Sequence, residues 1–148
     1  MAFNWGALLG PVAILGYLDY TTYLPLYAGS VAWTIFYDTI YAHQDKTDDV
    51  QVGVKSTALL FADQTKPVLA GFGAAFVGML GLAGHLSGAG VCFWTFSVAG
   101  SAMHLAWQLA SVNLASRESC WQRFKSNRDL GAIVWGGLVL DYLANVLY

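Results

Sequence analysis

The residues best suited to chemistry are four aspartates in the run Tyr37-Asp38-Thr39-Ile40-Tyr41-Ala42-His43-Gln44-Asp45-Lys46-Thr47-Asp48-Asp49. Asp45 and Asp49 stand at i and i+4, so a helix puts them on one face, one turn apart. Asp38 lies at i−7 from Asp45, two turns back on the same side, with Tyr41 between. A stripe of carboxylates suits a hard divalent cation. Mg²⁺ commonly takes one or two carboxylates and completes its shell with water and phosphate oxygens. The ion then bridges protein anions to a diphosphate that they would otherwise repel. On this reading the aspartates of the stripe are candidate metal ligands, and Lys46 and Lys55 are candidate phosphate contacts. Asp38 falls in an apolar stretch, where a charge costs on the order of a few kcal/mol and therefore turns toward a bundle interior or a cavity. The plainer alternative is a solvated acidic rim at a membrane surface. An EF-hand does not fit, because Gly53 comes too late after Asp45 for the sharp turn.

Other chemistry is sparse. His43 borders the acidic run and is a candidate proton or metal partner. His85 and His104 stand far apart and read as structural or interfacial. Cys92 and Cys120 form no CxxC pair, which argues against a disulfide framework or a zinc site. Asp141 sits in an apolar run without a visible partner. No nucleophile elbow, P-loop or HExxH is present.

The elements that carry these residues follow from composition. Hydrophobic residues make up 57% and charged residues 11%, against about 25% charged in an ordinary soluble domain. Too few charges remain to cover a water-facing surface, so the expected solvent is the lipid bilayer. A net charge of −2 offers no nucleic-acid partner. Reading for runs of roughly 17–25 apolar residues gives an all-α integral membrane bundle. Its five spans cover about 3–18, 22–43, 68–86, 89–112 and 130–148, in a single domain over residues 1–148. Trp5, Tyr20, Tyr23, Tyr41, Trp121 and Tyr148 near the ends fit interfacial anchoring. All seven basic residues fall after the second span (Lys46, Lys55, Lys66) or after the fourth (Arg117, Arg123, Lys125, Arg128). Five spans put those two regions on one side, the cytoplasm or its equivalent, the mitochondrial matrix. The first twenty residues contain no Lys or Arg, so neither a signal peptide nor a transit peptide is expected there.

The acidic run, extended through Gly53-Val54-Lys55-Ser56-Thr57-Ala58, resembles the second aspartate-rich motif of the UbiA-type intramembrane prenyltransferases. Asn4-Trp5-Gly6-Ala7-Leu8-Leu9-Gly10 resembles the opening of that family's second half. Thr65-Lys66-Pro67 resembles the start of its next helix, and Cys120-Trp121 through Gly131 its last basic loop. The wording His43-Gln44-Asp45-Lys46 looks most like mitochondrial members that act on 4-hydroxybenzoate in ubiquinone biosynthesis. The resemblance implies half of a fold of about nine helices around a central cavity. It also implies transfer of a polyprenyl chain from polyprenyl diphosphate to an aromatic ring, with Mg²⁺ held by two aspartate-rich motifs. Asp45 and Asp49 would be the catalytic, metal-ligating pair and Asp48 a further ligand. Asp38 and Tyr41 would line the substrate cavity, with Lys55 near the diphosphate. The expected place is the mitochondrial inner membrane, with the basic regions on the matrix side.

The first aspartate-rich motif has no counterpart in residues 1–37, whose single acid is Asp19. The resemblance therefore implies a missing N-terminal half, supplied as a partner or absent, and leaves the activity of these residues by themselves open. Two other classes stay open beside it. One is a non-catalytic membrane subunit docking to quinone-pathway proteins. The other is a small ion or proton carrier using Asp38, His43 and Asp45.

Overall fold

The computed structural model describes residues 2–147, which places Tyr148 outside it. Every regular element among the described residues is helical. A short 3₁₀ turn, Ala2–Trp5, leads into α1 (Gly6–Leu15). There follow α2 (Tyr20–Ala42), α3 (Lys46–Val52), α4 (Thr57–Phe61) and α5 (Thr65–Leu86). A π-helical stretch, Phe93–Ala99, runs directly into α6 (Gly100–Ser111), and α7 (Arg117–Leu147) closes the chain. Five principal helices thus stand where five apolar runs were read. Two stretches, Thr57–Leu86 and Arg117–Leu147, are both long and apolar enough to cross a membrane by length and composition.

Local chemistry sets the boundaries. The first run was expected to continue to Leu18, but α1 stops at Leu15. Gly16 adopts a left-handed φ of 76° and returns its N–H to the Val12 carbonyl, a turn that glycine makes without a Cβ penalty. Asp19 then caps α2. Its carboxylate accepts from the Thr21 N–H at 3.0 Å and from the Thr21 and Thr22 hydroxyls at 2.6 and 2.8 Å. Those hydroxyl bonds, Thr21's foremost, hold the Asp19 carboxyl below the ordinary carboxylate range.

The core lies where α2, α5, α6 and α7 meet, around Phe36, Ile40, Leu69, Phe76, Leu105 and Leu130. Small residues let these helices approach, as they do in lipid. A Cβ built on Gly29 of α2 would stand 3.0 Å from Met79 Cβ of α5. One built on Gly137 of α7 would stand 2.7 Å from the Ser97 backbone nitrogen. The outer surface is apolar: Ile14, Val91, Met103 and Trp135 are all exposed. For a bundle in a bilayer that is the lipid-facing side.

Two expectations change. Residues 117–128 are the first turns of α7 and not a loop, since no helix-breaking residue interrupts them. At 1.5 Å per residue, 31 residues extend roughly 46 Å, longer than the ~30 Å hydrocarbon core. The two basic regions do share one end of the bundle, as the span count requires: Arg117 of α7 touches the turn between α2 and α3, and Trp121 packs beside Tyr41.

Candidate functional site

The acidic run was read as one continuous helical stripe. It is instead a helix, a turn and a helix. α2 ends at Ala42, His43 to Asp45 form the turn, and α3 begins at Lys46. His43 is buried, and its Nε2 lies 3.2 Å from the Thr65 hydroxyl of α5. It therefore anchors the turn to the bundle, and among the described residues no hydrogen bond or ion pair joins it to Asp45, Asp48 or Asp49. Asp45 occupies the position just before α3. The Asp49 N–H bonds the Asp45 carbonyl at 2.8 Å, so these two aspartates do stand one helical turn apart. Asp38 is exposed on α2, on the other helix, and not turned into the bundle interior as its apolar surroundings led one to expect. The seven-residue spacing therefore does not align it with Asp45 along a single face.

Arg117 holds this turn. Its Nε donates to the Gln44 carbonyl at 2.6 Å. Its terminal nitrogen lies 2.5 Å from Asp48 Oδ2 and 3.6 Å from Asp45 Oδ1. All three side chains remain more than half exposed, so each ion pair adds at most about 1 kcal/mol of stability. Their effect is positional. One guanidinium fixes the last carbonyl of the turn and draws Asp48 aside, while Asp49 has no ion pair among the described residues. Lys55 stands exposed in the link between α3 and α4, just after Gly53, whose left-handed φ of 73° ends α3. No three His, Cys, Asp or Glu side chains among the described residues form a group that could hold a metal ion.

Below the turn an aromatic column descends between α2 and α7. Tyr41 packs against Phe124 with ring centroids 4.8 Å apart, and Phe124 stacks on Trp121 at 5.7 Å. Tyr37 meets Phe124 at 5.8 Å and Trp33 at 5.8 Å, and Trp33 stacks on Phe76 at 5.3 Å. At its foot the Trp33 indole N–H donates to Asn127 Oδ1 at 2.9 Å. Asn127 is shared with Gln108 of α6, whose Nε2 lies 3.2 Å from the same oxygen and 3.1 Å from His104 Nδ1. Gln108 is wholly buried. A buried amide network of this kind fixes side-chain positions because each unmet bond is costly in an apolar interior. Sequence reading missed Arg117, Phe124, Asn127 and Gln108. The one signal available was the expected shared side of the two basic regions, which brings α7 to the acidic turn.

Asp141 also gains partners. It is buried, and its carboxylate accepts from the backbone N–H of Gly90 at 2.8 Å and of Phe93 at 3.2 Å. It therefore caps, from α7, the start of the helix that contains the π stretch. Its role is structural, at the opposite end of the bundle from the acidic turn.

The sequence profile of the UbiA prenyltransferase family matches residues 1–135. The chain belongs to that family. A UbiA protein from Rattus norvegicus, "4-hydroxybenzoate polyprenyltransferase, mitochondrial", is 50% identical over 97% of this chain and 38% of its own length. The protein of the same name from Arabidopsis thaliana is 49% identical over 95% of this chain and 34% of its own length. "UbiA prenyltransferase claS" from Ampulloclitocybe clavipes is 51% identical over 82% of this chain and 39% of its own length. The chain thus spans about two-fifths or less of these UbiA relatives. No solved structure matches it. UbiA prenyltransferases generally use a divalent metal.

Proposed function

We propose that this chain carries the metal-binding turn of an aromatic polyprenyltransferase, which moves a polyprenyl chain from polyprenyl diphosphate to 4-hydroxybenzoate in ubiquinone biosynthesis. The observation that carries this reading is the turn itself. Asp45 and Asp49 sit one helical turn apart at the bundle's rim, directly above an aromatic column, in a turn that Arg117 holds through Gln44, Asp45 and Asp48. Two carboxylates are what Mg²⁺ commonly takes from a protein when phosphate oxygens and water supply the rest. The donor set therefore fits. Asp45 and Asp49 would hold the ion, with Asp48 a third and weaker contributor because Arg117 already engages it. Bound there, Mg²⁺ would neutralise charge developing on the departing diphosphate.

The chain's own residues do the rest. Lys55 contacts the diphosphate. Asp38 and Tyr41, both exposed on α2, would line a substrate cavity that the partner half closes. Aromatic faces at Tyr41, Tyr37 and Trp33 exclude water and attract an allylic cation by about 0.5–2 kcal/mol each where they face it. The buried Asn127–Gln108 pair keeps Trp33 oriented. A second acidic segment, opposite this turn, completes the cage in a partner N-terminal half. The site lies in the mitochondrial inner membrane with the basic rim toward the matrix, by the positive-inside rule. Neither the docking-subunit reading nor the ion-carrier reading gains an observation, since His43 bonds Thr65 and does not continue a polar path from Asp38.

The test is prenyl transfer in lipid, with the chain alone and co-expressed with the N-terminal part of a full-length relative. Mg²⁺, polyprenyl diphosphate and 4-hydroxybenzoate are supplied, and Asp45→Ala and Asp49→Ala run in parallel. Loss of product by roughly 10²–10³-fold in both variants, as for removal of a group that stabilises developing charge, supports the reading. Product that persists in both variants, or none in any arm with folded protein, overturns it.

A further inference from the structure

We propose that the cleft between the start of α7 and the end of α6, with the groove that continues below it, is a binding site for one anionic phospholipid. The cleft, of about 560 Å³, is lined by Arg123, Lys125, Arg128, Asp129 and Trp107 among others. Three cations against one carboxylate leave it net positive. Arg123 lies with its guanidinium carbon 4.2 Å from the centroid of the Trp107 ring. Its Nε is shielded from solvent and has no hydrogen-bond partner among the described residues. Stacking on an indole holds the guanidinium in place at the cleft wall.

Directly below, a second cavity of about 520 Å³ runs along α6 and α7, lined by Trp107, His104, Met103, Gly100, Phe96 and Ile133 among others. Trp107 lines both cavities, so basic cleft and apolar groove adjoin at its ring. From Trp107 to Phe96 the groove covers roughly 16 Å at 1.5 Å per residue. That is about half of a ~30 Å hydrocarbon core, the depth of one leaflet. Gly100 lets α6 close on α7 at the wall of this groove, since a Cβ there would stand 2.8 Å from Ile133 Cγ2. A charged head above an apolar channel one leaflet deep matches a phospholipid, and the surplus of cations selects an anionic one. The site stands on α6 and α7 and uses none of the aspartates of the proposed metal turn.

The experiment measures association of spin-labelled phosphatidylglycerol and phosphatidylcholine with the full chain in lipid nanodiscs, by electron paramagnetic resonance. The parent should prefer phosphatidylglycerol. Arg123→Gln and Lys125→Gln should each weaken that preference by roughly fivefold, the effect of one basic residue near an anionic head group. Asp129→Asn removes the one carboxylate lining the cleft and should strengthen it, a gain that misfolding does not mimic. Lys66→Gln, on α5, should leave it unchanged. Equal affinity for both lipids, an equal loss in Lys66→Gln, or displacement of the lipid by polyprenyl diphosphate at lower concentration would each overturn the proposal.

Discussion

Removing the Asp141 carboxylate should destabilise the bundle at the end remote from the acidic turn. In the parent, Asp141 accepts from the backbone N–H of Gly90 at 2.8 Å and of Phe93 at 3.2 Å. Asp141→Ala leaves both donors without their acceptor in a buried site. Interhelical hydrogen bonds in membrane proteins average about 0.6 kcal/mol each. Loss of a helix N-cap costs about 0.5–2 kcal/mol, and loss of a negative charge at a helix start adds about 0.3–1 kcal/mol. These figures overlap, and together they place Asp141→Ala at about 1.5–3 kcal/mol. Asp141→Asn keeps one acceptor oxygen and should cost about half as much. Gly90→Ala supplies the complementary perturbation, because its Cβ would stand 2.7 Å from Asp141 Oδ1. It should be destabilising in the parent and nearly harmless in the Asp141→Ala background, a coupling of about 1 kcal/mol between contacting residues. Reversible unfolding in mixed micelles, followed by circular dichroism, measures the parent and all four variants. A cost below about 0.5 kcal/mol for Asp141→Ala, the range of an ordinary surface change, or strict additivity with Gly90→Ala, would refute the cap.

Other expectations follow from the same geometry. Gly137→Ala should cost about 1–3 kcal/mol by overpacking, since its Cβ would lie 2.7 Å from the Ser97 nitrogen, whereas Gly136→Ala, with nothing within 4 Å, should be neutral or slightly stabilising in the same unfolding assay. Arg117→Gln should change stability by less than about 1 kcal/mol, yet lower Mg²⁺-dependent transfer about tenfold or more by releasing the Gln44 carbonyl; a variant with parental transfer would show that the clamp is incidental. Asn127→Ala should cost about 1–3 kcal/mol by leaving the Trp33 indole and Gln108 amide short of partners, and should change the near-ultraviolet dichroism of the tryptophans; an unchanged spectrum would separate Asn127 from the aromatic column.

The sequence makes the helical elements legible because apolar runs of this length and so few charges admit little else. It also makes the Asp45–Asp49 turn and the shared basic end legible, the latter from span parity alone. The break after Ala42 is not legible. Residues 43–45 include no glycine or proline, and the turn is held by contacts with residues far along the chain, His43 with Thr65 and the Gln44 carbonyl with Arg117. The same limit hides the partners of Asp141, whose nearer backbone donor lies 48 residues away. The early start of α7 had a local signal, since no breaker separates Arg117 from Leu130, but charge density there reads equally as a loop. Asp48 is an aspartate like its neighbours in the sequence, and only the position of Arg117 sets it apart.

α7 can also be considered as a mechanical part. It is one uninterrupted rod, pressed against the π stretch where Gly137 meets Ser97 and bearing Arg117 in its first turn. If Gly137 acts as a fulcrum, the arm to Arg117 is roughly 30 Å long at 1.5 Å per residue. Helices tilt to fit the thickness of the membrane that holds them. Along that arm Trp121 and Phe124 pack on Tyr41 and Asn127 bonds Trp33, so a change of tilt would reach α2 and the acidic turn together and not Arg117 alone.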